Sequence, residues 1–131
     1  MKVYVAGKWT DKDRIHGYME QLKSMGMQIT HDWTVFESNS NNSKADMAEH
    51  DINGVINADW VVVIMDDPSY PYRGSFTELG AALALHKKVF ILGSMTGDYS
   101  GNVFFHHPEI LHMPDWTTFT EFIRFQLFNV A

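Results

Sequence analysis

The feature that most constrains this chain is an apolar run, Trp60 to Met65, which has aspartates directly before and after it. A strand that is apolar on both faces has to be covered on both faces, as a central strand of a parallel sheet is. The run is far shorter than the roughly 20 residues that cross a bilayer. It therefore predicts the middle strand of an α/β domain, and no membrane span is expected.

Strand and helix patterns alternate along the rest of the chain. Strands are predicted at 2–6, 27–33, 59–65, 88–92 and 110–113. Helices are predicted after Thr10–Asp11, from Ser43 to about Asn57, from about Ser75 to His86, and after Asp115. Such alternation favours a parallel sheet with helices on both faces. We predict one domain over residues 1–131, a three-layer α/β sandwich of the flavodoxin-like or Rossmann-like type with strand order 2-1-3-4-5.

Composition excludes several classes of function. The 131 residues suffice for one domain with its own core. The chain has no cysteine, which removes thiol nucleophiles and cysteine metal sites. Its formal charge is −6 and its basic residues are scattered, so no nucleic-acid surface is expected. The seven histidines match no metal-binding spacing and the N-terminus is unlike a signal peptide, so we expect no metal and a cytoplasmic location.

Ligands of such folds bind outside the carboxyl ends of the strands, where polar and aromatic loops follow in this chain. The turn Gly7-Lys8-Trp9 lacks the G-x-G-x-x-G pattern, and the sequence contains no G-x-x-x-x-G-K-[ST] loop. Nicotinamide cofactors and ATP are therefore not expected. Trp9 and Trp33 follow the first and second strands, where their rings either stack on a base or pack within the protein.

Glu78 is the first candidate catalytic carboxylate. It is expected in the first turn of the third helix, after the loop from the central strand, where the helix N-terminus would favour its charged form. Two interpretations stay open. Glu78 is either an inward functional carboxylate or one half of a capping box with Ser75, in which it only satisfies the helix N-terminus.

Asp51 is the second candidate, on the edge of the helix face that packs on the sheet. It is either functional or a cap for a neighbouring loop. Two inward carboxylates suit glycosyl chemistry, one as nucleophile at the anomeric carbon and one as acid at the leaving group. Tyr4 either places its hydroxyl near such a nucleophile or belongs to the core, and Asp66 either faces a ligand or is solvated.

Three segments resemble the nucleoside 2-deoxyribosyltransferase family and its relatives, the deoxynucleoside monophosphate N-glycosidases. Val3-Tyr-Val-Ala-Gly-Lys-Trp9 is similar to the first strand and turn of the family, and His50-Asp-Ile-Asn-Gly54 to its N-D-L-N-G-type helix segment. Gly74-Ser-Phe-Thr-Glu-Leu-Gly-Ala-Ala-Leu83 resembles its G-x-x-x-E-L-G-x-A block, the most specific of the three.

The resemblance implies a role for each matching residue. Glu78 would be the nucleophile that forms a glycosyl ester at C1′, which favours the functional interpretation over the capping box. Asp51 would assist protonation of the departing base, Tyr4 would orient the Glu78 carboxylate, and Gly7 would let the sugar approach the backbone. Asn102 resembles an asparagine that binds the sugar 5′-hydroxyl, often from a neighbouring subunit. The family also implies a dimer or larger homo-oligomer and no cofactor.

The sequence departs from the family at one base-contacting position. Many transferases carry an aspartate six residues before the nucleophile and the monophosphate hydrolases often a serine, whereas this chain has Tyr72. Arg73 and Lys8 are candidates for holding a 5′-phosphate, and His31-Asp32-Trp33 for contacting the base. The expected substrate-binding set is Gly7, Lys8, Trp9, Trp33, Asp66, Tyr72, Arg73, Gly74, Ser75 and Asn102.

The resemblance therefore predicts an enzyme that transfers a deoxyribosyl group from a 2′-deoxynucleoside to another nucleobase, with a deoxynucleoside or deoxynucleotide and a free base as its small-molecule partners. One alternative is hydrolysis of a deoxynucleoside 5′-monophosphate. The other is a non-catalytic nucleotide-binding module, because a fold alone does not fix function.

Overall fold

Five parallel strands form one sheet in the order β2-β1-β3-β4-β5 in the computed structural model, which describes residues 1–128. The strands are β1 (Lys2–Ala6), β2 (Gln28–Ile29), β3 (Trp60–Ile64), β4 (Lys88–Leu92) and β5 (Ile110–Met113). The fold class, the parallel pairing and the strand order are confirmed.

The apolar run forms the middle of this sheet. All five residues of β3 are buried, and β3 pairs with β1 on one side and β4 on the other. Because each side chain of β3 meets protein on its own face of the sheet, a polar residue there would lose hydration without gaining a partner. The longest apolar run of the sequence therefore occupies the most enclosed position of the fold.

Helices cover both faces of the sheet. They are α1 (Lys12–Ser24), α2 (Trp33–Phe36), α3 (Lys44–Asn57), α4 (Arg73–Ala84) and α5 (Trp116–Phe128). Side chains alternate along a strand, so Tyr4 of β1 faces α3 while Trp60 and Phe90 face Phe119 of α5. None of the helices within residues 1–128 is both long and apolar enough to span a membrane.

The second strand is shorter than the predicted 27–33. It stops at Ile29, and the Asp32 side chain accepts a hydrogen bond from the Thr34 N–H at 3.0 Å and caps the short helix α2. An aspartate that bonds the backbone two residues onward competes with strand pairing, and β2 is an edge strand with one partner only. Trp33 is therefore helical.

Helix α4 begins at Arg73, two residues before the predicted start. Tyr72 precedes it in the left-handed conformation, with φ of 52°, and ends the loop that follows β3. Ser43 caps α3 in a capping box with Asp46, as the predicted start of that helix requires.

Gly54 lets α3 approach the sheet closely. A Cβ atom at this position would lie 2.7 Å from the Tyr4 ring and 2.9 Å from the His31 Cβ. Neither neighbour can retreat easily, because Tyr4 is fully buried and the other contact is to a Cβ atom attached to the backbone. The absent side chain of Gly54 therefore sets the distance between α3 and β1.

Replacing Gly54 by alanine is expected to lower the free energy of unfolding by about 1–3 kcal/mol, because the added methyl group overpacks this contact. Gly17→Ala on α1 is the matched control, since a Cβ there meets nothing within 4 Å. That control is expected to gain up to about 1 kcal/mol from helix propensity. Urea denaturation of the three proteins measures both effects, and equal stability of the two variants would contradict the prediction.

Candidate active site

A cavity of about 210 Å³ lies at the carboxyl ends of β1, β2 and β3, on the face covered by α3 and α4. Its lining includes most of the residues expected there: Gly7, Lys8, Trp9, Trp33, Asp51, Tyr72, Gly74, Ser75 and Glu78. Two further lining residues, Glu37 and Tyr70, were not predicted from the sequence. The loops after three neighbouring strands thus converge on one site, as the topology requires.

Glu78 projects from α4 into this cavity. It lies beyond the first turn of the helix, and Ser75 is itself inside the helix, so the capping-box interpretation is wrong. The helix dipole also contributes little to its charge state, because that effect is confined to the first turn. Burial and the negative charge of Asp51 raise the pKa of Glu78 to about 8, while interaction with the Tyr4 hydroxyl opposes the shift.

Tyr4 lies beneath the Glu78 carboxyl group. Its side chain is fully buried, and its hydroxyl has no partner with hydrogen-bond geometry among the described residues. Burial raises the pKa of Tyr4 well above its ordinary value, and the charges of Glu78 and Asp51 add to the shift. The Tyr4 hydroxyl therefore keeps its proton and can donate a hydrogen bond to a carboxylate oxygen.

Glu37 supplies a third carboxyl group at the end of α2. Burial, interaction with the carboxyl group of Asp51 and the charge of Glu78 together raise the pKa of Glu37 to about 8, and burial contributes most. On the far side of Asp51, the His31 Nε2 atom lies 3.4 Å from Asp51 Oδ1. Crowded carboxyl groups cannot all be charged at once, so this site retains protons at neutral pH.

Unsatisfied polar atoms concentrate at this cluster. Among the described residues, the buried side-chain atoms without a hydrogen-bond partner are Tyr4 Oη, His31 Nε2, Glu37 Oε1 and Asp51 Oδ1. Native proteins rarely leave such atoms unpaired, because each costs about 1–3 kcal/mol. Their concentration at one place is typical of a site that exchanges protons or binds a polar ligand.

The loop after β3 is fixed around the Tyr72 hydroxyl. This oxygen accepts hydrogen bonds from the backbone N–H groups of Asp66 at 3.2 Å and Asp67 at 3.0 Å. Lys8 on the opposite rim donates to the Asp67 carboxylate at 2.6 Å. Tyr72 thus both lines the cavity and shapes its edge, and Lys8 is already paired with a carboxylate.

The two tryptophans of the cavity differ in exposure. Trp33 is 4% exposed, and its indole N–H donates to the Val5 carbonyl at 2.7 Å. Trp9 is 41% exposed, and its ring centroid lies 6.3 Å from that of Trp33 at a tilt of 43°. Trp33 therefore builds the wall, whereas Trp9 is partly exposed at the mouth of the cavity, with Lys12 Nζ 4.8 Å from its ring centroid.

Three residues of the expected binding set lie outside this cavity. Asp66 pairs with Arg14 at 2.7 Å and lines a second cavity on the α1 and α5 side of the sheet. Arg73 is an exposed residue at the start of α4, and Asn102 accepts a hydrogen bond from the Phe104 N–H at 2.9 Å. Within one chain, the structure does not bring them to Glu78.

His31 and Asp32 separate in the structure, although the sequence suggested a shared role in contacting the base. Asp32 bonds to Thr34 and, at 2.7 Å, to His16, away from the cavity. His31 contacts Asp51 from behind and is not among the lining residues. Within residues 1–128 there is no group of three or more histidine, aspartate or glutamate side chains arranged to hold a metal ion.

Glu37 is the functional candidate that sequence reasoning missed. It follows a segment that was predicted as a strand and precedes a polar loop, a context in which a glutamate is ordinarily solvated. Its place in the cavity comes from the unexpected helix α2, which packs against α1 and α3. No local pattern in the sequence marks it.

Comparisons with known proteins agree with this fold. A sequence model of the nucleoside 2-deoxyribosyltransferase family matches residues 3–118. The solved structure of a CMP N-glycosidase from Clostridium botulinum, BcmB, matches with a TM-score of 0.64 at 18% sequence identity, over 99% of this chain and 100% of that chain. No curated protein matches the sequence.

The fold and the site define an α/β protein with a carboxylate-lined cavity for a small molecule. The chain belongs to the nucleoside 2-deoxyribosyltransferase family, as the resemblance predicted. Membership supports, in general terms, an enzyme that transfers or hydrolyses N-glycosidic bonds, with nucleosides or nucleotides and nucleobases as its small-molecule partners.

Replacing Glu78 by glutamine is expected to make stability less dependent on pH. Between pH 4.5, its ordinary pKa, and about 8, the folded state holds a proton on Glu78 that the unfolded state has lost. The free energy of unfolding of the wild type therefore falls as pH rises through this window, by on the order of 1 kcal/mol per pH unit at most. Glu78→Gln removes this contribution.

Urea denaturation over that pH range measures the effect. Glu49→Gln, at an exposed position of α3, is the matched control and is expected to keep the pH dependence of the wild type. A difference between Glu78→Gln and the wild type that stays constant with pH would show that Glu78 is not protonated in the folded protein.

Proposed function

We propose that this chain is a nucleoside 2-deoxyribosyltransferase, which cleaves the N-glycosidic bond of a 2′-deoxynucleoside and passes the sugar to a second nucleobase. The observation that carries the proposal is the position of Glu78, whose carboxyl group faces the cavity beside the Tyr4 hydroxyl and across from Asp51. A nucleophile, a group that orients it and an acid are the parts that glycosyl transfer requires.

In the first step, a Glu78 oxygen attacks C1′ as the bond from C1′ to the base nitrogen breaks. The electron pair of that bond leaves with the base, which takes a proton from Asp51. Tyr4 holds its hydroxyl against the Glu78 carboxyl group and orients the attacking oxygen. The transition state resembles an oxocarbenium ion, so the ionised form of Glu78 is the reactive one.

In the second step, a nitrogen of the acceptor base attacks C1′ and the ester bond to Glu78 breaks. The acceptor loses a proton to Asp51, which restores the starting state of the site. Two displacements at the same carbon give retention of configuration. The exposed face of Trp9 is suited to stacking with the departing or arriving base.

A homo-oligomer is part of this proposal. Asn102 lies outside the cavity of its own chain, and the following residues Val103 and Phe104 are 74% and 57% exposed. An apolar loop tip beside a polar side chain is suited to contact with another copy. A neighbouring subunit would then place Asn102 at the sugar.

Hydrolysis of a deoxynucleoside 5′-monophosphate is the second candidate. A separate opening of about 200 Å³, lined by Ala48, Ile52 and Thr77, also reaches Asp51 and Glu78. Water entering by this route can attack the ester in place of a base. The match to a CMP N-glycosidase also favours this candidate.

Incubation with 2′-deoxynucleosides is expected to give a new nucleoside only when a second free base is added. Glu78→Ala is expected to reduce turnover by at least about 10³-fold, because it removes the nucleophile. Chromatography of the products measures both results, with Glu49→Ala on the exposed face of α3 as a matched control.

Parallel reactions with 5′-monophosphates separate the alternatives. Free base released from monophosphates without any acceptor would establish the hydrolase instead. Saturable nucleotide binding without base release, by wild type and Glu78→Ala alike, would establish a binding module and overturn both enzyme assignments.

The rate is expected to fall as pH rises above about 8. The reacting state holds one proton in the pair of Glu78 and Asp51, with Glu78 ionised and the proton on Asp51, and the pKa of about 8 for Glu78 marks the loss of that proton from the pair. The value of kcat/KM for the wild type should therefore decrease up to about tenfold per pH unit above pH 8. Initial rates on both sides of pH 8 measure the profile, and a rate that keeps rising above pH 8 would contradict the proposed roles of the two carboxyl groups.

A further inference from the structure

His31 and Asp51 meet behind the cavity. The side chain of His31 is 12% exposed and that of Asp51 20% exposed, and His31 Nε2 lies 3.4 Å from Asp51 Oδ1. Both atoms are buried, and neither has a partner with hydrogen-bond geometry among the described residues. Two complementary atoms thus lie close to each other, and neither is satisfied by a hydrogen bond among the described residues.

The packing around His31 holds its ring in place. Its Cβ lies against the space that a side chain at Gly54 would occupy, and its ring meets the edge of Phe36 at a centroid distance of 5.0 Å. The preceding residue, Thr30, donates its hydroxyl to the Gly54 carbonyl at 2.7 Å. A hydrogen bond therefore links the segment that carries His31 to α3, the helix that carries Asp51.

Asp51 is surrounded by other side chains that carry or share protons, and among residues 1–128 the nitrogen-bearing side chain that lies close to Asp51 Oδ1 is that of His31. Glu37 faces Asp51 from α2, Glu78 faces it from α4 and Tyr4 faces it from β1. His50 is a neighbour of His31, with 5.6 Å between the two ring centroids. The groups that face Asp51 from α2 and α4 are thus both carboxyl groups. A nitrogen donor stabilises a carboxylate that carries a negative charge, and the imidazole of His31 is the nitrogen group placed to do so.

We propose that His31 is a positioning residue for leaving-base protonation, whose Nε2–H donates a hydrogen bond to Asp51 Oδ1 when Asp51 loses its proton. This inference rests on the proposed function. The proton moves from Asp51 to the base as the C1′–N bond breaks and the Glu78 ester forms. The neutral imidazole keeps its own proton throughout, and an approach of about 0.5 Å completes the hydrogen bond.

The structure separates this role from substrate binding. His31 is not part of the cavity lining, so it acts on the base only through Asp51. Its loss should then matter most for substrates whose base departs only with a proton. A base that carries electron-withdrawing substituents leaves more readily as an anion, and its departure should depend less on His31.

The test compares His31→Phe, His31→Gln and the wild type on one deoxynucleoside series whose base bears hydrogen, methyl or halogen substituents. His31→Phe keeps a planar ring without a donor, and we expect kcat to fall on the order of 10- to 100-fold for the unsubstituted base. The loss should shrink below about threefold for the most electron-withdrawing base, with KM little changed. His31→Gln, which retains an N–H donor, should recover most of kcat.

His50→Gln is the matched control, since His50 is an exposed histidine beside His31 whose Nδ1 contacts the Asp46 carbonyl. An equal loss on every substrate of the series, no loss at all, or an equal effect of His50→Gln would overturn the role of His31 while leaving the proposed function intact. A wild type that turns over no substrate would overturn the proposed function and this inference with it.

A measurement on the wild type does not depend on the variants folding. The proposal requires that His31 is neutral with its proton on Nε2, which nitrogen NMR of the labelled protein distinguishes from the other tautomer. A proton on Nδ1 alone would leave Nε2 without a hydrogen to donate and would overturn the inference.

Discussion

The site depends on the close approach of α3 to the sheet at Gly54. Without a side chain at this position, the helix lies directly against the Tyr4 ring and the His31 Cβ. Asp51 lies one turn earlier on the same helix, so the approach that accommodates Gly54 also brings the Asp51 carboxyl group to Tyr4 and His31. A wider spacing would keep the fold but disperse the cluster.

This clustering opposes stability. Burial and mutual repulsion raise the pKa of both Glu78 and Glu37 to about 8, and four buried polar atoms nearby have no hydrogen-bond partner among the described residues. Such a site persists only because other contacts compensate, here the fully buried strand β3 and the strands on either side of it. The unpaired polar atoms of the site thus lie near the carboxyl end of the sheet whose middle strand, β3, is fully buried.

Local patterns were sufficient to predict much of the fold, and long-range packing accounts for the rest. The bounds of β4 and β5 and the Ser43 cap of α3 follow from apolar runs and a capping residue. Glu78 and Asp51 lay on helix faces that periodicity could orient. Glu37 could not be found in this way, because its burial depends on how α2 packs against α1 and α3.

Under the proposed mechanism, the choice between transfer and hydrolysis would depend on what covers the second opening of the site. Glu78 and Asp51 face both the main cavity and the opening beside Ala48 and Thr77, so an ester on Glu78 in a single chain is reachable from two sides. A base needs the main cavity, whereas water can use either route. The carboxyl groups supply the same chemistry in both cases, so the exclusion of water by a neighbouring copy would decide which acceptor reaches C1′.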